Sequence, residues 1–240
     1  MISLLIIGPA GSGKSTLTKS FGSWLENEGK EVAYINLDPG VETLPFAPSF
    51  DIRKIITVDE VMRKEKLGPN GALIRAAEIM EARLFEIVEA VSALRADFLI
   101  FDTPGQMEIF LFRALGPKLA SSLKGRTVSI FLIDPLLMKK RNDFVVLKMF
   151  GLIVELRLGV PSIEVVNKSD LLEKDSVRAM EQFAEKDVGL SGSLAHELYR
   201  IVDSLEKKKR TLMVSAVKST GLLELYKAIG EAFCACGDLT

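Results

Sequence analysis

The chain has 240 residues, of which 48% are hydrophobic and 26% are charged, and its formal net charge is −1. Such a balance argues against broad electrostatic capture of nucleic acid or of an anionic membrane surface. No stretch approaches the roughly twenty consecutive apolar residues of a membrane span, so we expect neither a membrane partner nor direct nucleic-acid binding.

Short runs rich in apolar and β-branched residues recur between longer helical patterns. Most of these runs read as strands buried on both faces, and the segments between them are long enough for crossover helices, which is typical of a parallel sheet. We predict a three-layer α/β fold, with a mostly parallel sheet flanked by helices. The chain reads as one domain, 1–240, with helical insertions at about 40–96 and 171–210. The predicted strands are Ser3–Ile7, Val32–Leu37, Phe98–Phe101, Val128–Ile133, Ser162–Val166 and Thr211–Val214.

The first predicted strand runs into Gly8–Thr16, which fits the pattern G-x-x-x-x-G-K-[ST] between a strand and a helix. Its glycines let backbone N–H groups point at phosphate oxygens, and the following helix adds its positive end. Lys14 is expected to neutralise the β- and γ-phosphates, and the Ser15 hydroxyl to ligate Mg²⁺. The motif predicts a P-loop NTPase fold, with the nucleotide held by Gly11, Ser12, Gly13, Lys14, Ser15 and Thr16.

The second predicted strand ends in the sequence Asn36–Gly40, which contains Asp38. Right-handed crossovers place the carboxyl ends of the strands on one edge of the sheet, where ligands bind. A carboxylate there takes a magnesium-bound water or positions the attacking water. The alternative is a turn residue, since Asp before Pro is common in turns.

The following segment, Gly40–Asp97, exceeds what a simple crossover needs. After Gly68-Pro69-Asn70 its sequence predicts one long helix with a single apolar stripe that advances by steps of four and three residues. We expect the stripe to pack on the domain; a coiled-coil-like face for a partner is the alternative. The stripe consists of Leu73, Ala77, Met80, Leu84, Ile87, Val91 and Leu94.

The third predicted strand is followed by the sequence Asp102–Gln106. Asp102, at the end of a buried strand beside the P-loop, is expected to hold a magnesium-bound water. Gly105 has no side chain to block its N–H, so it is expected to donate to the γ-phosphate. A simple turn would explain the proline and glycine but not their pairing with a P-loop.

Base identity is predicted by Asn167-Lys168-Ser169-Asp170, which follows another strand. The Asp170 carboxylate can accept from both the N1–H and the exocyclic amine of guanine, whereas ATP would leave it unpaired. Each bond lost in this way costs on the order of 1–3 kcal/mol. Lys168 is expected to lie along the base and Asn167 to brace neighbouring loops. After the last strand, Ser215 and Ala216 are expected to offer a backbone N–H to guanine O6.

Together these motifs, in this order and spacing, resemble the GPN-loop GTPases over nearly the whole chain. The distinguishing mark is Gly68-Pro69-Asn70 within the insertion. The resemblance implies a homodimer in which this loop reaches the partner's active site, so that Asn70 acts in trans. It also implies that Gln106 and Glu108 lie near the attacking water and the magnesium shell.

The predicted function is a Mg²⁺-dependent GTPase that hydrolyses GTP to GDP and phosphate. We expect a homodimeric nucleotide switch with a protein partner in a nucleotide-dependent complex, and a role in assembling a larger complex. Catalysis of this kind is mostly positioning and electrostatics, with the water oriented by Gln106 or Asp38. The catalytic residues are Lys14, Asp38, Asn70, Gln106 and Glu108, and the metal residues are Ser15, Asp38 and Asp102.

Three alternatives stay open at this point. A P-loop small-molecule kinase would use the same loop but needs a lid with arginines and has no use for the N-K-x-D motif. A nickel-insertion GTPase would need Cys and His ligands, and the chain has one histidine, His196. A GTP-ordered scaffold with negligible turnover would use the apolar run Ile109–Phe112 to transmit the nucleotide state, although the core of a helix also explains that run.

The compartment is predicted from both chain ends. The apolar run Ile2–Ile7 has no basic leader and no small-residue cleavage site, so it is not a signal peptide. The two cysteines, Cys234 and Cys236, are too few and too close for a disulfide framework, which suits a reducing compartment. We expect a cytoplasmic protein.

Overall fold

A seven-stranded sheet forms the centre of the computed structural model, which describes residues 1–138, 141–172, 190–205 and 211–237. The strand order is β3-β2-β4-β1-β5-β6-β7, and every neighbouring pair is parallel. The strands are β1 (Ile2–Ile7), β2 (Val32–Asn36), β3 (Phe50–Asp51), β4 (Phe98–Asp102), β5 (Arg126–Ile133), β6 (Ser162–Val166) and β7 (Leu212–Met213).

Helices cover both faces of this sheet. On β1, Leu4 and Ile6 point to one face while Leu5 and Ile7 point to the other, as the strand periodicity of two requires. Helices α1 and α9 pack on the first face, and α2–α7 pack on the second. The described helices are α1 (Lys14–Asn27), α2 (Val58–Glu65), α3 (Pro69–Ala82), α4 (Leu84–Ser92), α5 (Met107–Phe112), α6 (Leu115–Ser122), α7 (Arg141–Leu158), α8 (Leu190–Leu205) and α9 (Leu222–Gly237).

The three-layer α/β prediction is confirmed, and each predicted strand is present with ends that shift by at most two residues. Strand β3 was not predicted. It lies at the edge of the sheet and pairs with β2 through Ile35 with Phe50 and Asn36 with Asp51. The segment predicted as a helical insertion, about 40–96, therefore also contributes a strand to the sheet.

The single long helix predicted for the insertion is wrong, because the chain forms α3 and α4 with a break at Arg83. This residue has φ −102° and ψ 17°, outside the helical region, and caps both helices. A straight helix over 69–92 would be about 36 Å long. The break lets both halves of the apolar stripe face the same core, so the predicted packing of the stripe is confirmed.

The second predicted insertion, 171–210, lies partly outside the described residues, as does the basic run 207–210. None of the described helices combines the length and apolar character that crossing a bilayer needs. Of the C-terminal cysteines, only the backbone within α9 is described.

Because all strands are parallel, their carboxyl ends meet at one edge of the sheet. The register pairs Ile6 with Asp102, Ile7 with Phe131 and Ile133 with Val166. The loops that leave these positions carry the predicted phosphate and base motifs, which the fold thus gathers at one edge.

A buried ion pair joins β6 to α7, close to the loop that carries the predicted base motif. Lys148 Nζ on α7 donates to Glu164 Oε2 on β6 at 2.6 Å, and their side chains are 9% and 4% exposed. Gly151 makes room for the pair, since a Cβ at this position would overlap the Glu164 carboxylate. The pair fixes α7 against the strand that ends just before Asn167.

Replacing one partner of this pair is predicted to destabilise the fold strongly. Lys148→Met removes the cation that donates to the buried Glu164 carboxylate, and losses of about 3–5 kcal/mol in the free energy of unfolding are typical of such changes. Urea denaturation measures the loss. The matched control is Lys148→Met combined with Glu164→Leu, which removes both charges and should recover most of it; a single variant as stable as wild type would contradict the prediction.

Candidate functional site

The turn between β1 and α1 has the backbone geometry of a phosphate-binding loop. Gly11 and Gly13 adopt φ values of 78° and 92°, in the left-handed region that favours glycine. At Gly13 a Cβ would also overlap the side-chain amide of Asn167. Glycine is therefore required at this position for conformation and for space.

Lys14 lies folded into this loop. Its Nζ donates to the carbonyls of Gly8 at 2.9 Å and Pro9 at 3.1 Å, and the residue is 7% exposed. Burial lowers the pKa of Lys14, while the carboxylates of Asp102, Asp38 and Glu108 act in the opposite direction. The lysine predicted to neutralise phosphate is thus held among the predicted catalytic and metal carboxylates.

Asp102 is the most unusual of these carboxylates. It is 1% exposed, and neither of its oxygens accepts a hydrogen bond of ordinary geometry from any described residue. Burial raises the pKa of Asp102 to about 6, against the lowering effect of the Ser15 hydroxyl and of Lys14. The carboxyl is buried beside the P-loop with its hydrogen-bonding capacity largely unused.

Asp38 joins the two loops expected to surround the γ-phosphate. Its Oδ1 accepts from the N–H of Gly40 at 2.9 Å, and its Oδ2 accepts from the N–H of Gly105 at 3.0 Å. The Gly105 N–H predicted for the γ-phosphate is therefore occupied by a carboxylate in this structure. Asp38 reaches the predicted edge of the sheet and accepts a hydrogen bond from the loop after β4.

The Gly-Pro-Asn loop lies beside this site in the same chain. Gly68 caps α3, Pro69 occupies its first turn, and the exposed Asn70 side chain accepts from Gln106 Nε2 at 3.4 Å. Glu108 is exposed in the first turn of α5. The structure thus brings Asn70 and Gln106 together within a single chain.

Helix α5 also contains the apolar run Ile109–Phe112. Phe110 and Leu111 are fully buried in the core, whereas Phe112 is 51% exposed. The run is mainly part of the core, which was the simpler of the two interpretations.

Asn167 braces the base end of the site. Its Nδ2 donates to the Ser12 carbonyl at 2.9 Å, and its Oδ1 accepts from the Ala216 N–H at 3.1 Å. Lys168 pairs with Asp134 at 2.7 Å, and Asp170 accepts from the Ser215 hydroxyl. The Ala216 N–H predicted for guanine O6 is thus bonded to Asn167 here.

A cavity of about 270 Å³ opens between these residues and the P-loop. Its lining combines the base motif with the first turn of α1 and with two apolar side chains, Leu171 and Val217. The full set is Gly13, Thr16, Asn167, Lys168, Asp170, Leu171, Ala216 and Val217.

Two residues that the sequence analysis missed also support the site. Thr103 Oγ1 donates to the Ile6 carbonyl at 2.7 Å, which ties the loop after β4 to the strand that leads into the P-loop. Asp134 is buried, pairs with Lys168 and follows β5 at the ligand edge. The position of Asp134 directly after a predicted strand was a signal that could have identified it.

Comparisons with known proteins agree with this geometry. A family model described as a conserved hypothetical ATP binding protein matches residues 6–235. The chain is 36% identical to GPN-loop GTPase PAB0955 of Pyrococcus abyssi, with 99% of each covered. The crystal structure of PAB0955, a GTPase in apo form, matches with a TM-score of 0.89 at 34% identity and 98% coverage of both chains. GPN-loop GTPase 1 of Dictyostelium discoideum is 28% identical over 96% of this chain, which spans 61% of that relative.

The raised pKa of Asp102 predicts a pH-dependent gain in stability for Asp102→Asn. Because its pKa of about 6 lies above the ordinary 3.8, the folded chain loses stability as pH rises between these values. The neutral amide removes this cost, so the nucleotide-free variant should gain about 3 kcal/mol at about pH 8 and about half of that at about pH 5. Thermal unfolding in EDTA at both pH values measures the gain.

Asp51→Asn is the matched control for this pH dependence. Burial alone would raise the pKa of Asp51, but hydrogen bonds from Arg53 and Asn36 outweigh it and lower the pKa. Asp51→Asn removes this stabilising charge, so it should lower the stability of the chain more at about pH 8 than at low pH. Equal gains for Asp102→Asn at both pH values would contradict the assignment.

Proposed function

The chain belongs to the GPN-loop GTPase family, and we propose that it binds GTP with Mg²⁺ and hydrolyses it to GDP and phosphate as a homodimeric switch. One observation carries the proposal: the Asn167 amide bonds the Ser12 carbonyl of the P-loop while the base motif lines the adjoining cavity. Phosphate and base recognition thus belong to one site.

Guanine is the base that fits this cavity. The Asp170 carboxylate is exposed at its rim, where its partner is the Ser215 hydroxyl. An incoming guanine offers two adjacent N–H donors to a carboxylate, whereas adenine offers an acceptor and no amine at these positions. The Asp170 carboxylate therefore favours GTP over ATP.

The residues near Asp102 fit a hydrated magnesium ion. Mg²⁺ prefers oxygen ligands, keeps several waters and takes much of its coordination from phosphates. The Ser15 hydroxyl would ligate it, and the buried, largely unbonded Asp102 carboxylate, together with Asp38, would hold its waters. The ion supplies charge neutralisation at the β- and γ-phosphates. No group of three or more His, Cys, Asp and Glu that could hold a metal ion by itself occurs among the described residues.

In the proposed hydrolysis, phosphate oxygens replace hydrogen bonds that Lys14 and Gly105 make within the protein. Lys14 exchanges the Gly8 and Pro9 carbonyls for phosphate oxygens, which stabilises the charge of the transferred group. A γ-phosphate oxygen competes with Asp38 for the Gly105 N–H. The freed Asp38 carboxylate and the adjacent Gln106 are then available to orient the attacking water, and Glu108 borders the same site.

We further propose that the site is completed by the Asn70 of a second copy. Asn70 is exposed at the start of α3 and touches Gln106 at a long 3.4 Å, so its amide is free to exchange partners. A protein partner could then distinguish the GTP-bound dimer from the GDP-bound dimer. We propose that this switch serves the assembly of a larger complex in the cytoplasm.

Base discrimination tests the proposed function. Calorimetric titration should show that wild type binds GTP at least about tenfold more tightly than ATP, since only guanine donates two N–H bonds to the Asp170 carboxylate and a hydrogen bond to a charged group contributes about 1.5–3 kcal/mol. Asp170→Asn should weaken GTP binding by a similar factor and improve the binding of xanthosine triphosphate, whose carbonyl replaces the guanine amine. Asp59→Asn, an exposed carboxylate on α2, is the matched control and should change nothing. Equal affinity of wild type for GTP and ATP would exclude the guanine assignment.

Mixing two inactive variants tests the role of Asn70 in trans. Asn70→Ala and Lys14→Ala should each hydrolyse GTP slowly, but their heterodimer has one site with an intact P-loop facing an intact Asn70. Random pairing should restore about one quarter of the wild-type phosphate release. The control mixture pairs Asn70→Ala with the double variant Lys14→Ala/Asn70→Ala and should stay inactive. If the first mixture also stays inactive although heterodimers form, Asn70 acts within its own chain.

A further inference from the structure

Three residues outside the predicted catalytic set hold the loop that carries Asp38. Asn36, at the end of β2, accepts from the Asp38 N–H through Oδ1 at 3.0 Å and donates to the Asp38 carbonyl through Nδ2 at 3.3 Å. The same Nδ2 donates to Asp51 Oδ1 at 2.8 Å. The backbone of Asp38 is thus bonded on both sides to a side chain that Asp51 orients.

Arg53 closes this network from the other side. Its guanidinium pairs with the Asp51 carboxylate, with Nη2 to Oδ2 at 2.7 Å and Nε to Oδ1 at 3.0 Å. Its Nη1 donates to the carbonyls of Val41 at 3.2 Å and Glu42 at 2.9 Å. One arginine therefore ties the far end of the Asp38 loop to the carboxylate that orients its near end.

The burial of these groups makes the network costly to break. Asn36 is fully buried and Asp51 is 7% exposed, so a broken bond would leave a polar group unsatisfied. The paired guanidinium and the Asn36 amide keep the pKa of Asp51 low in spite of its burial, so the carboxylate stays charged. The Arg53 guanidinium donates through Nε and Nη2 to Asp51 and through Nη1 to the two loop carbonyls, so all three of its nitrogens belong to this network.

The position of this network gives it a catalytic consequence. Asp38 bridges the Gly40 and Gly105 N–H groups, and small displacements of a group that orients water reduce turnover strongly. We infer that Asp51 and Arg53, acting through Asn36, are positioning residues that fix Asp38 for the hydrolysis step. The inference rests on the proposed GTPase function and adds residues that lie outside the P-loop and base motifs.

A purely structural role makes different predictions. Asp51 also accepts from the Arg53 N–H and so caps the helical turn Ile52–Lys54. If capping were its whole purpose, its loss would lower stability and would affect turnover whether or not Asp38 were present. A positioning role predicts that the loss of turnover requires Asp38, whereas a capping role predicts that it does not.

The experiment compares kcat, nucleotide affinity and thermal stability in a double-mutant cycle of the full-length chain. Arg53→Ala is the main variant, because the Arg53 side chain is 26% exposed and its removal leaves no large cavity. We expect kcat for GTP to fall about tenfold to hundredfold, with the affinities for GDP and a non-hydrolysable GTP analogue unchanged. In an Asp38→Ala background the same change should have no further effect on kcat.

Two further variants sharpen the test. Arg53→Lys keeps a cation beside Asp51 but cannot also reach both carbonyls, so an intermediate kcat is expected. Arg83→Ala is the matched control, since Arg83 is also a partly exposed arginine in an ion pair but lies at the α3–α4 junction. It should leave kcat unchanged. Asp51→Asn, which retains an acceptor for Asn36, should behave like Arg53→Ala if the charged pair is what orients the loop.

The outcomes are distinguishable from failure of the proposed function. If wild type releases no phosphate from GTP, or if Asp38→Ala leaves kcat unchanged, the proposed catalytic scheme is wrong and this inference falls with it. If Asp38→Ala lowers kcat but Arg53→Ala does not, only the positioning role is overturned. An Arg53→Ala effect that persists in the Asp38→Ala background, or that appears in affinity alone, overturns it as well.

Discussion

The buried side-chain amide of Asn167 donates to the Ser12 carbonyl and accepts from the Ala216 N–H, which joins the P-loop to the loop after β7. Since Asn167 is 1% exposed, either bond can be lost only by leaving a polar group unpaired, at about 1–3 kcal/mol. The same amide leaves no room for a side chain at Gly13. Movement of the P-loop is therefore coupled to movement of the loop after β7.

Most of the groups expected to contact the triphosphate already bond other groups of the protein. Lys14 bonds two P-loop carbonyls, and the Gly105 N–H bonds Asp38. Asp102 is the exception, since its burial raises its pKa and leaves its oxygens largely unused. A bound nucleotide with its cation would replace the first two sets of contacts at little net cost. The waters of a magnesium ion bound as proposed above would donate hydrogen bonds to the Asp102 carboxylate and so offset part of the cost of its burial.

The motifs and the three-layer fold could be predicted from the sequence, because a P-loop imposes local geometry and buried parallel strands have a clear composition. Strand β3 could not, since Phe50–Asp51 is too short to show a period and follows a proline-bearing stretch. The break at Arg83 was missed because the apolar stripe continues through it without a glycine or proline. The Asp51–Arg53 pair was missed for a different reason: its partner Asn36 is 15 residues away in sequence from Asp51, and only the β2–β3 register brings them together.

The insertion is bonded to both loops that surround the γ-phosphate position. Toward its start, Asp51 and Arg53 hold the loop of Asp38. Further along, α3 contacts the segment after β4: Asn70 meets Gln106, Glu78 pairs with Arg113 at 2.8 Å, and Glu81 accepts from the Ala114 N–H at 3.0 Å. The two loops are themselves joined through the bond from the Gly105 N–H to Asp38, which a γ-phosphate would break. The insertion is attached on both sides of that bond, whereas the sheet strands are held by their backbone ladders, so breaking the bond would act first on α3 and its neighbours. In the homodimeric switch proposed above, the surface of the insertion is therefore where a difference between GTP and GDP states would reach a second copy or a partner.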